Sequence, residues 1–168
     1  MKILKPTLLA LTCAFFLAFT HQITQETIKS NQRHYEEQVL REMVNGAEVE
    51  KSISGYNVFR NETQIGTIEP FMTRLGYNGD IDLLIALTLK SLTQDREIIS
   101  VRVTHHEETP GIGDKIEPDV SSWIHQFAGK SARDTDWTLS PEGDIDAISG
   151  ATITSRAVTN AIAEVLSK

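Results

Sequence analysis

From Ile153 to Leu166 the apolar residues fall at Ile153, Ala157, Val158, Ala161, Ile162, Val165 and Leu166. Spacings of three and four draw one helical stripe, with Arg156, Thr159, Asn160 and Glu164 on the opposite face. Upstream the period changes to two. Ile81–Leu89 mixes alternation with continuous apolarity and predicts a buried strand. Ile98–His105 predicts another, with Ile99, Val101 and Val103 on one face. The turn at Gln94-Asp95-Arg96 pairs these strands as a hairpin. Tyr56–Phe59 and Gln64–Ile68 flank Arg60–Thr63 as an earlier hairpin, and Leu75–Asp80 is a turn cluster. Asp119–Phe127 predicts a short helix with Asp119 as its cap and Trp123, Ile124 and Phe127 inside, ended by Gly129-Lys130. Trp137 reads as core, and Pro141–Asp144 as a turn.

The N-terminal pattern is different. Pro6–Thr20 carries no charge and follows Lys2 and Lys5. With its flanks it approaches the ~20 residues of a bilayer span. Ala18-Phe19-Thr20 is a poor cleavage site, so an uncleaved anchor over residues 1–23 is expected rather than a removed signal peptide. The two lysines then hold the N-terminus in the cytoplasm and place the remainder outside, which in a Gram-negative cell is the periplasmic side of the inner membrane. Residues 24–45 read as a polar connector helix closed by Asn45-Gly46, and residues 46–168 as one domain. The fold class is therefore α+β: an anchor helix, then a single domain of antiparallel strands with flanking helices.

Composition narrows the chemistry. The net charge of −7 over 168 residues argues against nucleic acid as a partner. Cys13 is the only cysteine, so there is no disulfide framework within the chain and no cysteine metal site.

Two stretches carry candidate chemistry. In Asp146–Ser155, Ser149 and Gly150 read as a turn, and Thr152, Thr154 and Ser155 are candidate caps. The free amides and partial positive charge of that helix end suit a phosphate, although capping alone explains the hydroxyls. In His105–Ile116, Pro110-Gly111 and Gly113 force a tight exposed turn. Its N–H groups, with Glu108 and Thr109, offer hydrogen bonds to the edge of a heteroaromatic ligand; the plainer reading is a strand-to-helix loop. A metal on His105, His106 and Glu107 is disfavoured, because adjacent strand residues point to opposite faces. No acid, base or nucleophile constellation stands out.

Taken together, Glu108–Ile116, Trp123 with Phe127–Lys130, and Asp146–Val158 resemble the FMN-binding domain family, in particular the G subunits of Rnf/Rsx electron transport complexes. Gly76–Leu84 is similar to a Gly-Tyr-x-Gly-x-Ile-x-Leu-Leu segment of those proteins. The resemblance covers roughly residues 75 to 166 and the anchor topology. It implies FMN joined through its phosphate to the Thr152 hydroxyl, at the end of Ser149-Gly150-Ala151-Thr152, with Asp146 as the motif's acidic member. It also implies that Glu108, Thr109, Gly111 and Ile112 approach the isoalloxazine ring, with Thr154 and Ser155 secondary. The implied role is electron carriage in an ion-translocating oxidoreductase complex. The implied partners are the other membrane subunits and a flavin transferase. The C subunit of a sodium-translocating NADH:quinone reductase, a stand-alone flavin carrier and a non-redox binding module remain as alternatives.

Overall fold

Five strands run as one antiparallel meander: β1 (Glu48–Ser52), β2 (Gly55–Arg60), β3 (Thr63–Thr73), β4 (Ile81–Thr88) and β5 (Ile98–His106), in sheet order β1-β2-β3-β4-β5. The structure is a computed structural model and describes residues 13–17, 19–20, 24, 36–91 and 95–168. The chain divides into two units, residues 1–40 and 41–168. In the first, all the described residues are helical. Thr20 Oγ1 donates to the Phe16 carbonyl one turn back, and Phe15, Phe16, Leu17 and Phe19 are exposed. Among the described residues no helix is long and apolar enough to cross a membrane, and the anchor expected over 1–23 lies mostly outside them.

The sheet belongs to the second unit. It starts after a helical turn that ends at Asn45-Gly46, where Gly46, at φ +74°, donates its N–H to the Arg41 carbonyl at 2.8 Å. β4 is the central strand of the core. Ile81, Leu83, Ile85 and Leu87 alternate onto one face, and each is at most 1% exposed. β4 pairs with β5 through Ile85↔Val101 and Leu83↔Val103, as the hairpin pattern predicts. The phase of β5 differs from expectation. The register shifts opposite Ala86/Leu87, so Leu87 pairs with Ile98, and Ile98 rather than Ile99 is buried with Val101 and Val103. A bulge inserts one residue and turns the following side chains over. Pro70 lies in β3 beyond the last residue paired with β2, so its missing N–H falls on an open edge and breaks no ladder.

The C-terminal helix (Thr152–Leu166) covers the core with Ala157, Val158, Ala161, Ile162, Val165 and Leu166. Two members of the expected helical faces change places. Ile153 is 51% exposed, and Thr159 is 1% exposed. Burial of Thr159 is tolerated because its hydroxyl donates to the Ser155 carbonyl at 2.8 Å. The helix expected over 119–127 is a shorter 3-10 turn, Trp123–Phe127, led in by Ser122 rather than capped by Asp119. Its Phe127 meets Trp123 edge-on at 5.2 Å and stacks with Trp137 at 6.2 Å, completing the core.

These placements separate two isoleucines on one helix. Ile162→Ala should lower the free energy of unfolding by about 2–5 kcal/mol. Ile153→Ala should change it by no more than about 0.5 kcal/mol. Denaturant unfolding of the two variants beside the parent checks both.

Candidate cofactor site

One buried carboxylate draws three segments together. Glu108 follows β5 and is only 5% exposed. Its Oε1 accepts the Asn78 N–H at 3.2 Å, and its Oε2 accepts the Thr154 hydroxyl at 2.6 Å. Its own N–H donates to His106 Nδ1 at 3.0 Å. That nitrogen therefore carries no proton, and His106 Nε2–H donates to Glu117 Oε1 at 2.6 Å. Asn78 Nδ2 adds a bond to Thr109 Oγ1 at 3.1 Å. Gly76 and Gly113 make room for the carboxylate: a Cβ on either would sit 2.7 or 2.8 Å from a Glu108 oxygen. The turn at 76–79, the loop at 109–113 and the start of the C-terminal helix thus meet on one side chain.

The helix start is built by the backbone. Ala151 N–H closes on the Ile148 carbonyl at 2.9 Å, with Gly150 at φ +84° in the third position, where a type II turn requires it. The expected caps do not act as caps. Ala151 is the N-cap residue and makes no side-chain capping bond. Ser155 Oγ accepts the Ile148 N–H at 2.9 Å and donates to the Ala151 carbonyl at 3.0 Å, tying turn to helix. Thr154 is committed to Glu108, and Thr152 is exposed. No acceptor is found among the described residues for the amides of Thr152, Ile153 and Thr154. That leaves an open, partly positive helix end beside the Thr152 hydroxyl.

Between these parts lies a cleft of about 470 Å³, within the ~300–1,000 Å³ of small-molecule sites. Of the residues singled out in the sequence, Glu108, Thr109, Ile112, Gly150, Ala151 and Thr152 line it. Gly111 is the exposed apex of the loop, and Ser149 is exposed in the turn. Asp146 is held by its backbone: Gln126 Oε1 accepts its N–H at 2.8 Å, and Trp123 Nε1 donates to its carbonyl at 2.6 Å. Its exposed carboxylate has no partner among the described residues. The loop amides also differ from expectation. Those of Ile112 and Gly113 turn inward onto the Thr109 carbonyl, at 3.1 and 2.9 Å, and are not offered to a ligand.

The cleft adds Tyr77, Gly113, Ile153 and Thr154. Tyr77, Ile112 and Ile153 leave 66%, 46% and 51% of their surface exposed, giving the cleft three apolar walls. An aromatic residue set among Gly, Asn and Asp in a turn was the available signal for Tyr77. A stripe drawn through Ile153 hid that residue, because the first turn of a helix can overhang the core. His105 is exposed while His106 is bonded to Glu117, and no group of three or more metal-ligating side chains occurs among the described residues.

A family model described as FMN-binding domain matches residues 76–167, and one described as RnfG N-terminal region matches residues 7–43. The chain belongs to the FMN-binding domain family. A relative from Shewanella baltica (strain OS223), named as the G subunit of an ion-translocating oxidoreductase complex, is 30% identical over 92% of this chain and 82% of its own length. The protein of the same name from Escherichia coli (strain K12) is 46% identical over 52% of this chain and 42% of its own length. The architecture of this FMN-binding domain suits the cofactor of its family. Over Gly150 a Cβ would meet only Ile112 Cγ2, at 3.8 Å, and over Gly111 nothing within 4 Å, so the cleft floor and the loop apex are open. Apolar walls for a flat ring, an accessible hydroxyl and unbonded amides for an anion occur together.

The Glu108–Thr154 bond should be measurable on its own. Thr154→Val should cost about 1.5–3 kcal/mol, the range for a hydrogen bond to a charged group. In a Glu108→Ala background the same change should cost much less. A double-mutant cycle by chemical denaturation measures the difference.

Proposed function

We propose that this chain carries electrons through FMN joined as a phosphodiester to Thr152, as the membrane-anchored G subunit of an ion-translocating oxidoreductase complex. The single observation that carries the reading is the cleft itself. It gathers Tyr77, Thr109, Ile112 and Gly113 with Gly150–Thr154, where the exposed Thr152 stands at an uncapped helix end. The names of the relatives support the setting. The anchor over 1–23, the connector over 24–45 and the extracytoplasmic domain over 46–168 belong to this proposal, as do the other membrane subunits as partners.

Bound FMN supplies one- and two-electron redox chemistry. The chain's residues supply position and environment. Tyr77, Ile112 and Ile153 offer apolar surface to the ring. Thr109, fixed by Asn78, would offer its hydroxyl to a polar edge of the ring, with Glu108 behind it. Gly150 and Ala151 keep the approach to Thr152 clear of side chains. The amides of Thr152, Ile153 and Thr154 would meet the phosphate charge with a partial positive field.

Attachment requires a flavin transferase and an activated flavin nucleotide. The Thr152 Oγ–P bond forms and the phosphoanhydride bond breaks. The departing nucleotide keeps the bonding electrons, and the hydroxyl proton passes to a base of the transferase. The exposed Asp146 carboxylate is open to contact by that enzyme or its metal. A tether suits a domain outside the cytoplasm, where free FMN is scarce.

The test is fluorescence of the protein band after denaturing electrophoresis, following co-expression with the transferase. Wild type should fluoresce and Thr152→Ala should be dark. A dark wild-type band, with the transferase active on a control protein, would reject covalent attachment. In the native state, Tyr77→Ala should brighten flavin emission at equal flavin content, because an aromatic ring against the flavin quenches it. Unchanged emission would remove Tyr77 from the ring's surroundings.

A further inference from the structure

Thr152 borders a second cleft. It measures about 540 Å³ and lies on the other side of the helix start, where Trp137, Ser140 and Glu142 face Arg156 and Asn160. Thr152 therefore borders two depressions, one with apolar walls and one lined by a guanidinium. Arg156 is four residues beyond Thr152, so their Cβ atoms lie about 5–6 Å apart on one helix face. Helical side chains lean toward the helix N-terminus, which carries Arg156 back over the turn that begins with Thr152. Arg156 is the only cation in the helix and is exposed. It has no ion pair or hydrogen bond among the described residues, although Glu142 lines the same cleft.

We propose that Arg156 is the positioning residue for the phosphoryl group on Thr152: its guanidinium pairs with the non-bridging oxygens and holds them toward the second cleft. The inference rests on attachment at Thr152. Its chemistry is that of any phosphodiester monoanion beside a planar fork of donors, where arginine makes two parallel charge-assisted bonds and lysine one. With the phosphate held on the Arg156 side, the flavin ring is free to enter the first cleft.

The experiment compares wild type, Arg156→Gln and Arg156→Lys, each unloaded and each loaded to completion by prolonged co-expression with the transferase. Thermal unfolding is followed in low salt and in about 1 M salt, where the screening length falls to about 3 Å. The unloaded proteins should melt alike, because Arg156 holds no partner before loading. Loading should raise the melting temperature of wild type more in low salt than in high salt. Arg156→Gln should lose that salt-dependent gain, and Arg156→Lys should keep part of it. The initial loading rate of Arg156→Gln should also fall about tenfold, the equivalent of one weak charge-assisted bond. A fully loaded Arg156→Gln with the wild-type salt response overturns the proposal. So does a variant that loads slowly but responds normally once loaded, since that outcome places Arg156 on the transferase contact instead. A dark wild-type band rejects attachment and this inference together, whereas a loaded but unresponsive wild type rejects this inference alone.

Discussion

A carboxylate shut away from water is the constraint on which the site depends. Removing an ionised group from solvent costs several kcal/mol unless its lone pairs are met. No lysine or arginine forms an ion pair with Glu108 among the described residues. Its charge is instead met by the Asn78 amide, the Thr154 hydroxyl and the positive end of the C-terminal helix. Two glycines leave it the space. Each partner comes from a different segment, so satisfying Glu108 and aligning the three walls of the cleft are the same event. The hydroxyl that the sequence pattern assigns to capping is spent here, and the helix end stays open as a result.

The same logic explains the rest of the helix start. Ser155 looks like one more surface hydroxyl, yet it is fully buried and bridges Ile148 to Ala151. Thr159 repeats the pattern one turn later. These polar residues sit on the core face because the helix itself provides their acceptors, so burying them leaves no bond unmade. The exposed hydroxyl of this stretch that borders the cleft, Thr152, is the one with chemistry assigned to it.

Much of this was legible in the residues. The β4–β5 hairpin follows from alternation and a turn, and the helical stripe predicts most of the buried face. The Gly-Ala turn and the Pro-Gly loop stand together in one cleft, as their shared resemblance to a flavin-binding family implied. What was not legible has physical causes. A bulge opposite Leu87 shifts the phase of β5, and nothing local in Ile98-Ile99 marks it. Ile153 matches the stripe, but the first turn of a helix overhangs the core. Tyr77 lines the cleft beside Asn78, which is tied to Glu108, thirty residues away.

The bond from Glu108 to Thr154 spans forty-six residues. The meander between Glu48 and His106 forms from neighbours in the chain, whereas the cleft exists only after the terminal helix has come to rest on the sheet. A chain stalled before that step presents the Thr152 hydroxyl on a loose segment, without the walls that surround it in the finished domain. The cleft is therefore the part of the domain that rests on contacts distant in the chain. It reports the docking of the terminal helix, and a ligand that fills it would stabilise the whole domain rather than one loop.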